Sequence, residues 1–156
     1  AIHWHAFEDC SSLSSVTIPE GVTVMGEYAF SGCSSLKSAN IPSGVTSIQR
    51  ALFEDCESLE SIIIPDGVTS IGGYVFQNYS SLTSVIIPDS VTSIGSYAFQ
   101  GCSGLTSVTI GNDVDSIGSW AFRSCTSLTS LFQKNSISIT LRRLVEKLVC
   151  FGSASV

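Results

Sequence analysis

Phenylalanine returns at a fixed interval of 23 residues through most of this chain, at Phe7, Phe30, Phe53, Phe76, Phe99 and Phe122. Leu13, Leu36, Leu59, Leu82, Leu105 and Leu128 keep the same interval, as do Val22, Val45, Val68, Val91 and Val114. Ile48, Ile71, Ile94 and Ile117 form a further column, with Met25 as an early substitute. A unit this short cannot bury an apolar face alone, so its copies must stack and bury that face against one another. The period therefore predicts a solenoid in which equivalent side chains line up along one axis.

The copy from Ser81 to Phe99 divides into parts, followed by a turn that runs on to Cys102. Ser81-Leu82-Thr83-Ser84-Val85-Ile86-Ile87 reads as a short parallel strand, with Val85 and Ile87 inward and Ser84 and Ile86 outward. Leu82 is out of that phase and belongs to the lead-in turn, still within reach of the core. Pro19, Pro42, Pro65 and Pro88 end the strand, because proline has no N–H to continue a ladder. Val91-Thr92-Ser93-Ile94-Gly95 is a shorter extended piece on the opposite wall, with Val91 and Ile94 inward and Gly95 as a bend. Tyr97 to Cys102 is expected to be a compact turn or single 3₁₀ coil that drops Phe99 into the core. With stacked strands about 4.8 Å apart, the phenylalanines become a continuous aromatic spine. The chain reads as a mainly β repeat solenoid over residues 1–133, in six registers with the first partial.

Regularity fails after Leu131, where Gln133-Lys134 replaces the usual Ile-Pro. Leu141, Leu144, Val145, Leu148 and Val149 then fall at helical spacing, and Gly152 is a stop. Residues 134–156 are read as a capping helix and tail, since an open solenoid end exposes core and an unpaired strand edge. A helix that docks on another protein is the rival reading. The opposite end starts partway through a coil, so Ile2, Ala6 and Phe7 begin the core with nothing beneath them. Preceding repeats or a partner are expected there.

Charge narrows the partners. The formal net charge of −6 divides into −9 before Lys134 and +3 from Lys134 onward. An acidic body repels phosphate backbones, so nucleic acid is not the expected partner. Lys134, Arg142, Arg143 and Lys147 read as a solvated helix face. Charged residues are only 13% of the chain, and Ser, Thr and Gly replace them. That suits stacked coils, which would otherwise set like charges side by side. No apolar run approaches the roughly 18 residues of a membrane span.

The residues that could carry chemistry have simpler roles in this frame. Cys10, Cys33, Cys56, Cys102 and Cys125 each follow a phenylalanine by three, with Tyr79 in the remaining place and Cys150 outside the pattern. In-register parallel side chains do not turn toward each other, and no C-x₂-C pair is present, so the cysteines read as buried free thiols acting as small hydrophobes. His3 and His5 would share a face, but His5 occupies the column of Tyr28, Tyr74, Tyr97 and Trp120, which favours aromatic packing over metal binding. Glu54, Asp55 and Glu57 read as a solvated loop and not a Ca²⁺ site. Asn78-Tyr79-Ser80 matches a glycosylation acceptor, most simply by chance. Nothing assembles a nucleophile, a base and an oxyanion donor. The expectation is a non-enzyme with no cofactor and no metal.

The outward columns of the strand face are the most informative surface. One is all serine, Ser15, Ser38, Ser61, Ser84, Ser107 and Ser130. The next varies, Thr17, Asn40, Ile63, Ile86, Thr109 and Phe132, and the lead-in turn carries Ser14, Lys37, Glu60, Thr83, Thr106 and Thr129. Repeat packing explains sameness, so partner choice resides in variation. Asn40, Ile63, Ile86, Thr109, Phe132, Lys37 and Glu60 are the candidate protein-binding residues. Two readings of the apolar members stand side by side: a contact patch, or residues that merely favour strands.

The unit Ser-Leu-Thr-Ser-Val-x-Ile-Pro-x-x-Val-Thr-Ser-Ile-Gly-x-x-Ala-Phe-x-x-Cys closely resembles the BspA-like leucine-rich repeat, over roughly residues 1–131. The resemblance implies a right-handed coil with a parallel strand sheet. It implies also a surface or secreted protein that binds other proteins, several members acting in adhesion. A structural or docking subunit of a larger assembly is the alternative. The family has no catalytic or ligand motif to carry over, and the stretch from Thr140 departs from the repeat.

Overall fold

A computed structural model describes residues 1–133 of the chain. The region expected to form a capping helix and tail, 134–156, lies outside the described residues.

The polypeptide winds as a solenoid with two parallel sheets on its walls. The longer strands β3 (Ser84–Ile87), β5 (Ser107–Ile110) and β7 (Ser130–Gln133) form one, in the order β3-β5-β7. The two-residue strands β1 (Ser47–Ile48), β2 (Ser70–Ile71), β4 (Ser93–Ile94) and β6 (Ser116–Ile117) form the other, in the order β1-β2-β4-β6. Every pairing joins residues 23 apart, such as Ser84 with Ser107 and Ile71 with Ile94. Alternation on the longer strands is as the sequence predicts: Val85 and Ile87 are buried, while Ser84 and Ile86 face out. Pro19, Pro42, Pro65 and Pro88 close this wall, and their carbonyls accept the N–H of Val22, Val45, Val68 and Val91 in a tight turn.

The front wall is not continuous. Ser15 and Ser38 make an isolated bridge, and regular strands begin only at Ser84. Among the described residues no backbone hydrogen bond ties Ser61–Ile64 to either neighbouring coil. Ile62 and Ile64 are nevertheless buried and Ile63 exposed, so burial alone holds the strand-like alternation there.

The phenylalanines queue through the centre as expected. Successive ring centroids from Phe7 to Phe122 are 5.1, 5.5, 6.5, 5.1 and 5.2 Å apart, all near-parallel. The wide step lies between Phe53 and Phe76, where Tyr79 stands in the cysteine register. Its ring meets Phe76 edge-on at 5.7 Å, and its buried hydroxyl has no partner in hydrogen-bonding geometry. Leu36, Leu59, Leu82 and Leu105 are fully buried, so the lead-in leucine does reach the core.

Two details sharpen the sequence-based expectation. Gly95, between β4 and the turn that follows, does more than allow a bend: a Cβ there would collide with the Gly72 and Gly73 backbone. The glycine is required by close approach of adjacent coils. The turn that carries each phenylalanine is the compact turn of the two expected forms and not a 3₁₀ coil. Its i to i+3 hydrogen bonds, such as Gln100 N–H to the Tyr97 carbonyl at 3.1 Å, are interrupted by left-handed residues. Tyr97 has φ 62° and Gly101 φ 72°, and the same two places recur in other coils, for example at Tyr74 and Asn78. A side chain in that conformation costs roughly 1–2 kcal/mol. Ring stacking offsets it, with Tyr74 on Tyr97 at 4.9 Å and His5 on Tyr28 at 5.1 Å.

Candidate functional site

The thiols come first, because burial removes most of them from chemistry. All described cysteines are free; Cys33, Cys56 and Cys102 are buried as expected, whereas Cys125 is half-buried and Cys10, in the first coil, is exposed. They are more than small hydrophobes: Cys33, Cys56, Cys102 and Cys125 each donate S–H to a phenylalanine carbonyl in the preceding coil, at 3.1 Å. Loss of hydration pushes the Cys33 thiol up to about 11 and the Cys56 thiol up to about 12. Such thiols are poor nucleophiles and poor metal ligands at neutral pH. No cluster of three potential metal-ligating residues occurs among the described residues. Asp55 instead accepts from the Asn78 amide at 2.8 Å, and His5 stacks on Tyr28 while meeting Glu8 at 2.8 Å.

The outward strand face is built differently. Ile63 is 81% exposed and Ile86 is 67% exposed, on a wall whose alternate residues are anchored in the core. Thr109 is half-buried beside Ile86 in the β3–β5 register. Phe132 pairs through its backbone with Thr109, while its side chain lies outside the described residues. Lys37 and Glu60 are both exposed in the lead-in turn, joined by a long Glu60 N–H to Lys37 carbonyl bond of 3.5 Å. Asn40 supports the fold, since its amide oxygen accepts the Ile18 N–H at 2.7 Å and its amide nitrogen donates to the Ile18 carbonyl at 2.8 Å. It mends the ladder between the first coils. The threonines of the lead-in column act similarly, Thr106 Oγ1 donating to the Thr83 carbonyl at 3.0 Å.

Acidic residues border this face, a feature that the reading of outward columns alone does not capture. Glu57 and Glu60 precede Ile63, and Asp66 follows it, all exposed or nearly so. Asp89 follows Ile86 and accepts the Asn112 N–H at 3.0 Å. Glu20 occupies the same register and accepts the Ser43 N–H and hydroxyl at 2.9 and 3.0 Å, which hold its carboxyl below the usual range. The signal is present in the sequence, since Glu20, Asp66 and Asp89 each follow a strand-ending proline. Arginine lies elsewhere, Arg50 over the Tyr74 ring at 5.0 Å and Arg123 over Trp120 at 4.0 Å. No helix among the described residues is long and apolar enough to cross a membrane.

Comparison with known proteins agrees with this geometry. The model of the BspA type leucine rich repeat region matches residues 1–129 in six copies. A comparison with curated proteins finds no match. Among solved structures, the leucine rich repeat protein of T. pallidum is similar over 94% of this chain and 75% of its own, with 30% identity and a TM-score of 0.74. A leucine-rich repeat protein from Bacteroides ovatus is 27% identical over 84% of this chain, with a TM-score of 0.68, and the chain spans 40% of it. The pneumococcal vaccine antigen PcpA is 27% identical over 80% of this chain, also with a TM-score of 0.68, and the chain spans 31% of it. With its 23-residue register, its parallel walls and its six matched copies, the chain belongs to the BspA type leucine-rich repeat family.

Proposed function

We propose that this chain is a non-catalytic recognition module of the adhesion type, which binds protein at a cell surface or after secretion through its outward strand face. The observation that supports it most is the pair of exposed isoleucines, Ile63 and Ile86, on a wall whose alternate residues are locked in the core. Rigid apolar side chains bind at low entropic cost, because little ordering remains to be done on contact. Likeness to a pneumococcal vaccine antigen supports a surface setting. The test is binding to a panel of purified, immobilised matrix proteins. Ile63→Asp/Ile86→Asp is expected to weaken capture by about ten-fold or more, as loss of a central contact does. Thr92→Asp, on the opposite wall, is expected to leave it unchanged. Equal capture by all three proteins would remove the strand face as the binding site.

A second reading, a docking subunit of a larger assembly, draws on the first coil. Trp4 there is 76% exposed, the largest side chain of that coil. Stoichiometric co-purification abolished by Trp4→Asp would favour this reading over the first.

A further inference from the structure

We infer that the outward strand face receives a basic amphipathic helix laid along the solenoid axis, its apolar ridge on Ile63 and Ile86 and its flanking Lys or Arg residues over the two acidic margins. The inference rests on the strand-face reading above and specifies the chemistry of the partner.

The first argument is charge. Ile63 and Ile86 form a stripe, not a broad patch, because the neighbouring outward column is serine. Glu57 and Glu60 lie on its lead-in side, Asp66 and Asp89 on its trailing side. At roughly 3.3 Å per strand residue, Asp66 and Glu60 each stand about 10 Å from Ile63. The margins therefore stand about 20 Å apart, so a helix of roughly 10–12 Å diameter seated on Ile63 leaves about 4–5 Å on either side, within reach of an extended Lys or Arg side chain. Lys37 is the one cation in these columns among the described residues, and Arg50 and Arg123 are held over aromatic rings on the turn side. A basic partner gains at both margins, whereas an acidic partner is repelled at both.

The second argument is pitch. Successive strands of a parallel wall stand about 4.8 Å apart, and Ile86 and Thr109 are paired in that way in the β3–β5 register. One helical turn advances about 5.4 Å, so a ridge at i, i+3, i+4 and i+7 keeps step with the coils over several repeats. An extended strand laid the same way repeats its face about every 6.6 Å and is out of step by the second coil.

Three peptides of about 18 residues, long enough to cross several coils, test this by calorimetry against the full chain. One is Leu/Lys with leucines at helical spacing. The second is its Leu/Glu counterpart. The third has the Leu/Lys composition in strict alternation. Only the first is expected to bind. Ile63→Asp/Ile86→Asp is expected to weaken it by about ten-fold, even though two negative charges have been added. Ile63→Ser/Ile86→Ser serves if the aspartates disturb folding. Asp66→Lys/Asp89→Lys is expected to weaken it by a similar factor. Binding that tightens or holds in the isoleucine variant, or that the alternating or Leu/Glu peptide matches, overturns the inference. So does a dimer of the full chain that the isoleucine variant reduces to monomer, since a second copy would then be the occupant. Matrix capture lost in that variant without any Leu/Lys binding overturns the helix alone and leaves the strand-face reading standing.

Discussion

At the residue scale, the register three places after each phenylalanine shows how one side chain resets its surroundings. Four cysteines there return a proton donor to the coil before them, and each fits because sulfur is small. Tyr79 fills the place with a ring, forfeits that bond to the Phe53 carbonyl, and lies at the widest step of the aromatic file, 6.5 Å. The same burial makes stability depend on alkaline pH. Loss of hydration raises the Cys56 thiol from its usual 9.0 to about 12. Below pH 9 the thiol is protonated in both folded and unfolded chains and stability does not change. Above it the unfolded chain ionises while the folded chain keeps its proton, so stability falls from pH 9 until about pH 12. The expected slope is about 1.4 kcal/mol per pH unit for this group. Urea melts at about pH 8 and about pH 10.5, on either side of the ordinary thiol range, measure it with Cys56→Ala as reference. An equal decline in both proteins would show that the thiol is not the cause.

At the scale of the coil, backbone approach decides which residues are tolerated. Gly95 lies against the Gly72 and Gly73 backbone, with no room for a methyl group, whereas a Cβ on Gly21 meets nothing within 4 Å. Gly95→Ala is therefore expected to cost about 2–4 kcal/mol, in the range of an overpacked core or beyond it. Gly21→Ala should be neutral or add up to about 1 kcal/mol by restricting the unfolded chain. Thermal melts of the two variants check this, and similar midpoints would mean the coils can separate freely at Gly95. The front wall at Ser61–Ile64 gives the complementary case. With no ladder bonds there, position is held by Ile62 and Ile64 in the core alone.

The whole molecule is a one-dimensional stack, so position along the axis sets what a lost side chain costs. Phe53 is fully buried between two rings, while Phe7 has a ring on one side and is 39% exposed. Phe53→Ala is expected to destabilise by about 3–5 kcal/mol. Phe7→Ala should cost about 1 kcal/mol or less, as exposed positions do. Denaturant melts followed by circular dichroism compare them, and equal losses would contradict a linear stack. The acidic margins also belong to this scale, since successive coils set Asp66 and Asp89 in one row.

Much of this is legible without coordinates. A fixed interval of 23 residues states which side chains are equivalent, and the alternation around Val85 and Ile87 states which of them face inward. Periodicity carries that information because translation along the axis repeats every environment. Translation says nothing about how closely the copies approach. The S–H bonds to phenylalanine carbonyls, the Asn40 bridge to Ile18, the clash that demands Gly95 and the unlinked strand at Ser61–Ile64 all depend on contacts between coils. Those distances come from the balance of ring, sulfur and backbone volumes packed between neighbours, and only the folded stack strikes it.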